Sequence, residues 1–120
     1  MKYIEYNSEG NCIIRSFSKS YNTNSTDIYN ELESIKEELN SNDSNDIEVF
    51  EEYMRRRNTN KIDKYKDIQV KDLVLDNNSY IVFCYDKKDW YHLIPIIDNT
   101  VYDKTNKCLD LYVISIYRKD

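Results

Sequence analysis

The sequence predicts an α+β domain, with N-terminal helices packed on a C-terminal antiparallel sheet. Two observations carry this. Up to about Asn58 apolar residues recur at helical spacing, and from about Tyr80 the chain is rich in β-branched and aromatic runs separated by turn residues. Helical and strand patterns that are segregated in this way, not alternating, argue against repeated βαβ units. The 120 residues suit one domain spanning 1–120, large enough to bury a core without staples.

Lys2 to Tyr6 read as a short extended lead-in, and the only glycine, Gly10, allows a turn after it. Asn11 is a good N-cap, so a helix is expected from Cys12, with Ile13, Phe17 and Tyr21 as its buried stripe. After the polar loop YNTNST, a second helix is expected from Thr26 or Asp27, with Ile28, Leu32, Ile35 and Leu39 on one face. SNDSND is a connector. A third helix is expected from about Asp46, presenting Ile47, Phe50 and Met54 to the core and ending in Arg55-Arg56-Arg57, as the helix dipole prefers. A phosphate or acidic-partner contact is the competing reading of those arginines. Thr59 to Asn78 read as a loop with a short helix or strand in it. Strands are expected at Ser79–Tyr85, Trp90–Ile97, Thr100–Asp103 and Leu109–Tyr117, as an antiparallel meander, with Pro95 marking a bulge or an edge.

The net charge of −5 argues against nucleic acid or an anionic membrane as the main partner, since both require a basic surface. No apolar run approaches membrane-spanning length and the N-terminus lacks a signal-like stretch, which points to a cytoplasmic protein. The three cysteines lack CxxC spacing, so neither a disulfide framework nor a zinc site is expected. Cys84 reads as core, and Cys108 as a loop or strand-start thiol. The twelve tyrosines are scattered and read as packing.

Chemistry concentrates on few residues. A thiol at a helix N-terminus has its pKa lowered by the unpaired N–H groups there, and an imidazolium lowers it further. Cys12 meets the first condition. The chain has one histidine, so any imidazole chemistry must use His92. A working histidine needs an acceptor on its other ring nitrogen. Asp103 ends the strand after that of His92, and a tight turn at Asp98-Asn99 would set it roughly opposite Ile94. Asp98 is the competing acid, at the turn tip. Arg15 reads as structural, pairing with an acid across the helix. Trp90 and Tyr91 flank the histidine, either lining a substrate cleft or, for Trp90, capping the core.

Asn11-Cys12-Ile13-Ile14-Arg15-Ser16-Phe17 resembles the opening of the central helix in small papain-like proteins of bacteria and their phages. Tyr80-Ile81-Val82-Phe83, His92-Leu93-Ile94, Asp98-Asn99 and Val101-Tyr102-Asp103 resemble the strands that present the histidine and acid there. The bacteriocin-leader peptidases, with the same Cys, His, Asp order, are more distant cousins. The resemblance implies a papain-like cysteine-hydrolase fold and a Cys12-His92-Asp103 triad. The expected substrate is a peptide, isopeptide or other amide, and no cofactor or metal is implied. Three features depart from the pattern. Trp90-Tyr91 stand where family members tend to carry glycine, and Asn99 replaces the hairpin glycine. No glutamine precedes Cys12 as an oxyanion donor, which leaves Asn11, Asn7 and the Cys12 N–H. A non-catalytic protein-binding module on the same scaffold, such as a phage-encoded inhibitor of a host defence protein, is the alternative.

Overall fold

The computed structural model describes residues 1–63 and 67–120. Its elements are β1 (Lys2–Glu5), α1 (Cys12–Tyr21), α2 (Ser25–Glu38), α3 (Ile47–Arg55), β2 (Thr59–Asp63), β3 (Ser79–Tyr85), β4 (Tyr91–Ile97), β5 (Thr100–Asp103) and β6 (Tyr112–Lys119). Short 3-10 turns occupy Val70–Asp72 and Asn106–Asp110. The expected loop over Thr59 to Asn78 thus holds β2 and a 3-10 turn, and its residues 64–66 lie outside those described.

The helix starts follow from capping. The Asn11 side chain accepts from the Ile14 N–H and the Asn24 side chain from the Asp27 N–H, so α2 begins slightly earlier than expected. Ile28, Leu32 and Ile35 are buried, whereas Leu39, past the last turn of α2, is 43% exposed. In α3 the buried side is Val49, Phe50, Tyr53 and Met54, which includes the expected Phe50 and Met54; Ile47, also expected in the core, is the first residue of the helix and is 43% exposed. The arginine cluster is engaged within the molecule. Arg55 and Arg56 bond Glu52, Arg56 also bonds Glu38, and Arg57 forks onto Glu31 while lying 3.5 Å over the Tyr53 ring.

The sheet is mixed and six-stranded, in the order β1-β5-β4-β3-β6-β2. The expected meander holds only for β3, β4 and β5. The last strand crosses back to pair with β3 instead of following β5, and β1 adds a parallel edge beside β5. Once Asn106–Asp110 turns as a 3-10 helix, β6 begins at Tyr112, and the β5 edge is already taken by β1. The β4–β5 turn carries Asp98 and Asn99 at positive φ (50° and 58°), the geometry of a two-residue hairpin, which Asn adopts at low cost.

Both faces of the sheet are covered. The helices pack on one through Phe17, Ile28, Tyr53, Ile81 and Leu93, with Phe17 stacked on Tyr53 at 4.3 Å. The other face buries Val82, Ile94, Ile96 and Ile116 under Val70, Leu73 and Leu111 from the segments around the 3-10 turns. That explains why SYIVFCY and YHLIPII are apolar almost without alternation: central strands covered on both sides have no solvent face. Among the described residues, no helix is long and apolar enough to cross a membrane.

Candidate active site

One irregularity of the sheet creates the site. Between β4 and β5 the register is Ile96↔Val101 and Ile97↔Thr100, so the N-terminal half of β4 has no strand on that side. The gap is filled by α1. The Ser16 hydroxyl donates to the Leu93 carbonyl at 2.8 Å, and the Leu93 N–H meets the Cys12 sulfur. The free edge of a strand therefore satisfies its polar groups on the first turns of a helix. Pro95, which lacks an N–H, falls in the same stretch, where no ladder bond on that side is lost.

Cys12 is the first residue of α1. The turn that delivers it depends on Gly10 at φ +95°, where a Cβ would sit 2.8 Å from Ile14 Cγ2. Its thiol reaches His92. Asp103 meets the same ring from the other side, Oδ2 to Nε2 at 2.7 Å, which leaves Nδ1 for the sulfur. Continuing the β4–β5 register sets Asp103 opposite Ile94, on the same face as His92, as the hairpin argument required. Asp98 is exposed at the turn tip and takes no part.

Asp103 is held from several directions. Its backbone carbonyl accepts from the Tyr3 hydroxyl at 2.8 Å and the Tyr6 N–H at 2.9 Å, both from the β1 region. Its Oδ1 accepts from the Lys104 N–H at 2.9 Å and lies 3.4 Å from Arg15 Nη2. Arg15 also donates to the Gly10 carbonyl at 3.2 Å. One buried guanidinium thus ties the turn before the cysteine to the acid behind the histidine. The sequence marks Arg15 as a charge three residues after Cys12 on an apolar helix, but its partner across the sheet is visible only in three dimensions.

The electrostatics favour a charged pair. Burial by itself raises the Cys12 pKa, yet the hydrogen bond and charge of His92, the Leu93 N–H and the Arg15 charge outweigh it, and the thiol is lowered. Burial likewise opposes charge on His92, but its bonds to Asp103 and Cys12 push it up to about 9. Asp103 is lowered: burial works against the carboxylate, and His92, Lys104 and Arg15 prevail. The other thiols behave oppositely. Burial drives Cys84 well above its ordinary value, and burial with the nearby Asp103 charge takes Cys108 up to about 12.

A cleft of about 520 Å³ opens beside the thiol. Ile13, Ile47, Phe50, Phe83, Tyr91 and Leu93 supply its apolar lining, and Asn11, Asn45 and Asp46 its polar part. Tyr91 belongs to the cleft, stacked on Phe83 at 5.7 Å. Trp90 neither lines it nor caps the core; it stacks on the His92 ring at 4.8 Å and shields the imidazole. Asn7 bonds Glu5 at 3.1 Å and is not among the cleft residues. Asn11 lines the cleft, but its carbonyl caps α1 and its amide donates to Asn45 at 2.9 Å. The first N–H groups of a helix have no acceptor within it, which leaves the Cys12 N–H at the start of α1 without an intrahelical partner.

Neither protein-family models, nor curated proteins, nor solved structures match this chain.

Proposed function

We propose that the protein is a thiol hydrolase on a papain-like plan, acting on a peptide, isopeptide or other amide. The observation that supports this most is the line of three groups: a helix-start thiol meeting an imidazole whose far nitrogen is 2.7 Å from a buried carboxylate. A structural cysteine requires none of these neighbours, whereas an activated catalytic thiol is served by a base within hydrogen-bond reach and a third group that orients the base.

In this reading the Cys12 thiolate attacks the substrate carbonyl carbon and a C–S bond forms. The oxyanion is met by the Cys12 N–H at the positive end of α1. Asn11 assists only by releasing Asn45, and Asn7, whose amide bonds Glu5, does not line the cleft. The His92 imidazolium gives its proton to the leaving amine as the C–N bond breaks. Water then loses a proton to His92, attacks the thioester and releases the acid, restoring the thiolate–imidazolium pair. Asp103 holds the ring with Nδ1 toward the sulfur throughout.

The test is alkylation of Cys12 by iodoacetamide across pH, followed by mass spectrometry in wild type and His92→Ala. Rapid labelling of Cys12 well below about pH 8.5, the range of a free thiol, and its loss in the variant support the proposal. Ordinary thiol behaviour in both removes it and leaves the non-catalytic binding module as the reading to pursue.

A further inference from the structure

The cleft beside Cys12 says what the site accepts. Its apolar lining comes from four separate elements: Ile13 on α1, Ile47 and Phe50 on α3, Phe83 on β3, and Tyr91 and Leu93 on β4. Cys12 and His92 line the same cleft, so whatever fills it lies within reach of the thiol. Among the described residues that line it, Asp46 carries the one charge outside the Cys12–His92 pair. Ile47 is 43% exposed and Tyr91 52% exposed, large apolar groups left open to solvent in the lining of one concavity. A volume of about 520 Å³ exceeds what a reacting carbonyl needs and falls in the range of built ligand pockets.

We infer that the site selects peptide substrates carrying a bulky apolar side chain, aromatic or long aliphatic, next to the scissile carbonyl, and rejects acidic ones. This rests on the hydrolase reading of the same cysteine. The apolar side chain displaces water from Ile47, Phe50, Phe83 and Tyr91 and brings its carbonyl to the Cys12 sulfur. An acidic side chain would be desolvated beside Asp46, and the one cation in the lining, the His92 imidazolium, is already paired with Cys12 and Asp103. Complete burial of an aromatic ring supports roughly a 10- to 100-fold preference over glycine.

The experiment compares acetyl-Gly-Gly, acetyl-Phe-Gly, acetyl-Gly-Phe and acetyl-Asp-Gly chloromethyl ketones as labels of Cys12. The thiolate forms a C–S bond and chloride leaves, so the rate reports how well each probe seats. Iodoacetamide, which has no side chain, is the reference. The expected result is that one phenylalanine probe labels at least tenfold faster than the glycine probe and the aspartate probe is slowest. In Ile47→Ala, a change at an exposed position, the ratio of the phenylalanine rate to the iodoacetamide rate should fall several-fold. A Cys12 that reacts with iodoacetamide as a low-pKa thiol but takes all four probes equally overturns the specificity alone. So does one that prefers the aspartate probe. An ordinary pH profile with iodoacetamide overturns the hydrolase reading beneath it.

Discussion

Asp103→Asn is the most informative single change, because it keeps the shape of the site and removes one charge. Asp103 is a shared acceptor: Oδ2 faces His92 Nε2 at 2.7 Å, and Oδ1 faces the Lys104 N–H at 2.9 Å and Arg15 Nη2 at 3.4 Å. A hydrogen bond to a charged group contributes ~1.5–3 kcal/mol and a neutral one ~0.5–1.5. The difference, about 1–1.5 kcal/mol, is close to one pKa unit. His92 should therefore fall from about 9 by roughly one unit and the Cys12 thiolate should titrate correspondingly higher. Stability should fall as well, because Arg15, with an 11% exposed side chain, keeps only the Gly10 carbonyl and loses its counter-charge. Breaking a buried pair from one side costs ~3–5 kcal/mol, and the amide that remains as an acceptor places this case toward the low end. The assay is thiolate ultraviolet absorbance against pH, with urea unfolding in parallel. Cys84 and Cys108 stay silent because burial raises both. A folded variant whose thiolate titration overlays the wild type would refute the electrostatic account of the triad. If Asp103→Asn combined with Arg15→Met is less stable than Asp103→Asn alone, the buried ion-pair account fails too.

The remaining predictions concern how the site is built. Gly10→Ala forces a Cβ onto Ile14 in a left-handed turn and should cost more than about 1 kcal/mol, read from the urea midpoint, with slower Cys12 alkylation because the helix start moves. Ser16→Ala leaves the buried Leu93 carbonyl without its donor and should cost about 1–3 kcal/mol by the same measurement, with faster hydrogen exchange at the β4 edge. Asn11→Ala removes the α1 cap and should lose about 1 kcal/mol of stability; Asn7→Ala should leave both stability and Cys12 labelling unchanged, since Asn7 is exposed, bonds Glu5 and does not line the cleft. The pH dependence of stability has a distinctive form. His92 is raised above its ordinary 6.5, so its contribution is complete below that value and is lost toward about 9, while Cys12 is lowered, so its contribution grows toward high pH. In the native pair the two trends oppose each other and stability is nearly flat between. In Cys12→Ala only the histidine trend survives, and the urea midpoint should fall as pH rises above about 6.5.

The elements of this protein were legible wherever local chemistry decided them. Asn11 before Cys12 fixes a helix start because a short polar side chain can cap Ile14, and Asp98-Asn99 makes a two-residue hairpin because both tolerate left-handed backbone. That hairpin links His92 and Asp103 at a separation of eleven residues, so a two-strand argument was enough to pair them. What the sequence could not settle were the long-range choices. Periodicity shows that Ile47 and Leu39 lie near apolar stripes, but only packing decides that both stay exposed and that Ile47 lines a cleft. Strand order depends on which edges compete: β1 occupies β5, so β6 turns to β3. The site itself rests on the shortness of the β4–β5 ladder, which opens the strand edge that Cys12 and Ser16 fill. Residues close in sequence determine one another through a few dihedral angles, whereas Arg15 and Asp103, 88 positions apart, meet only because the whole sheet and its helix layer bring them together.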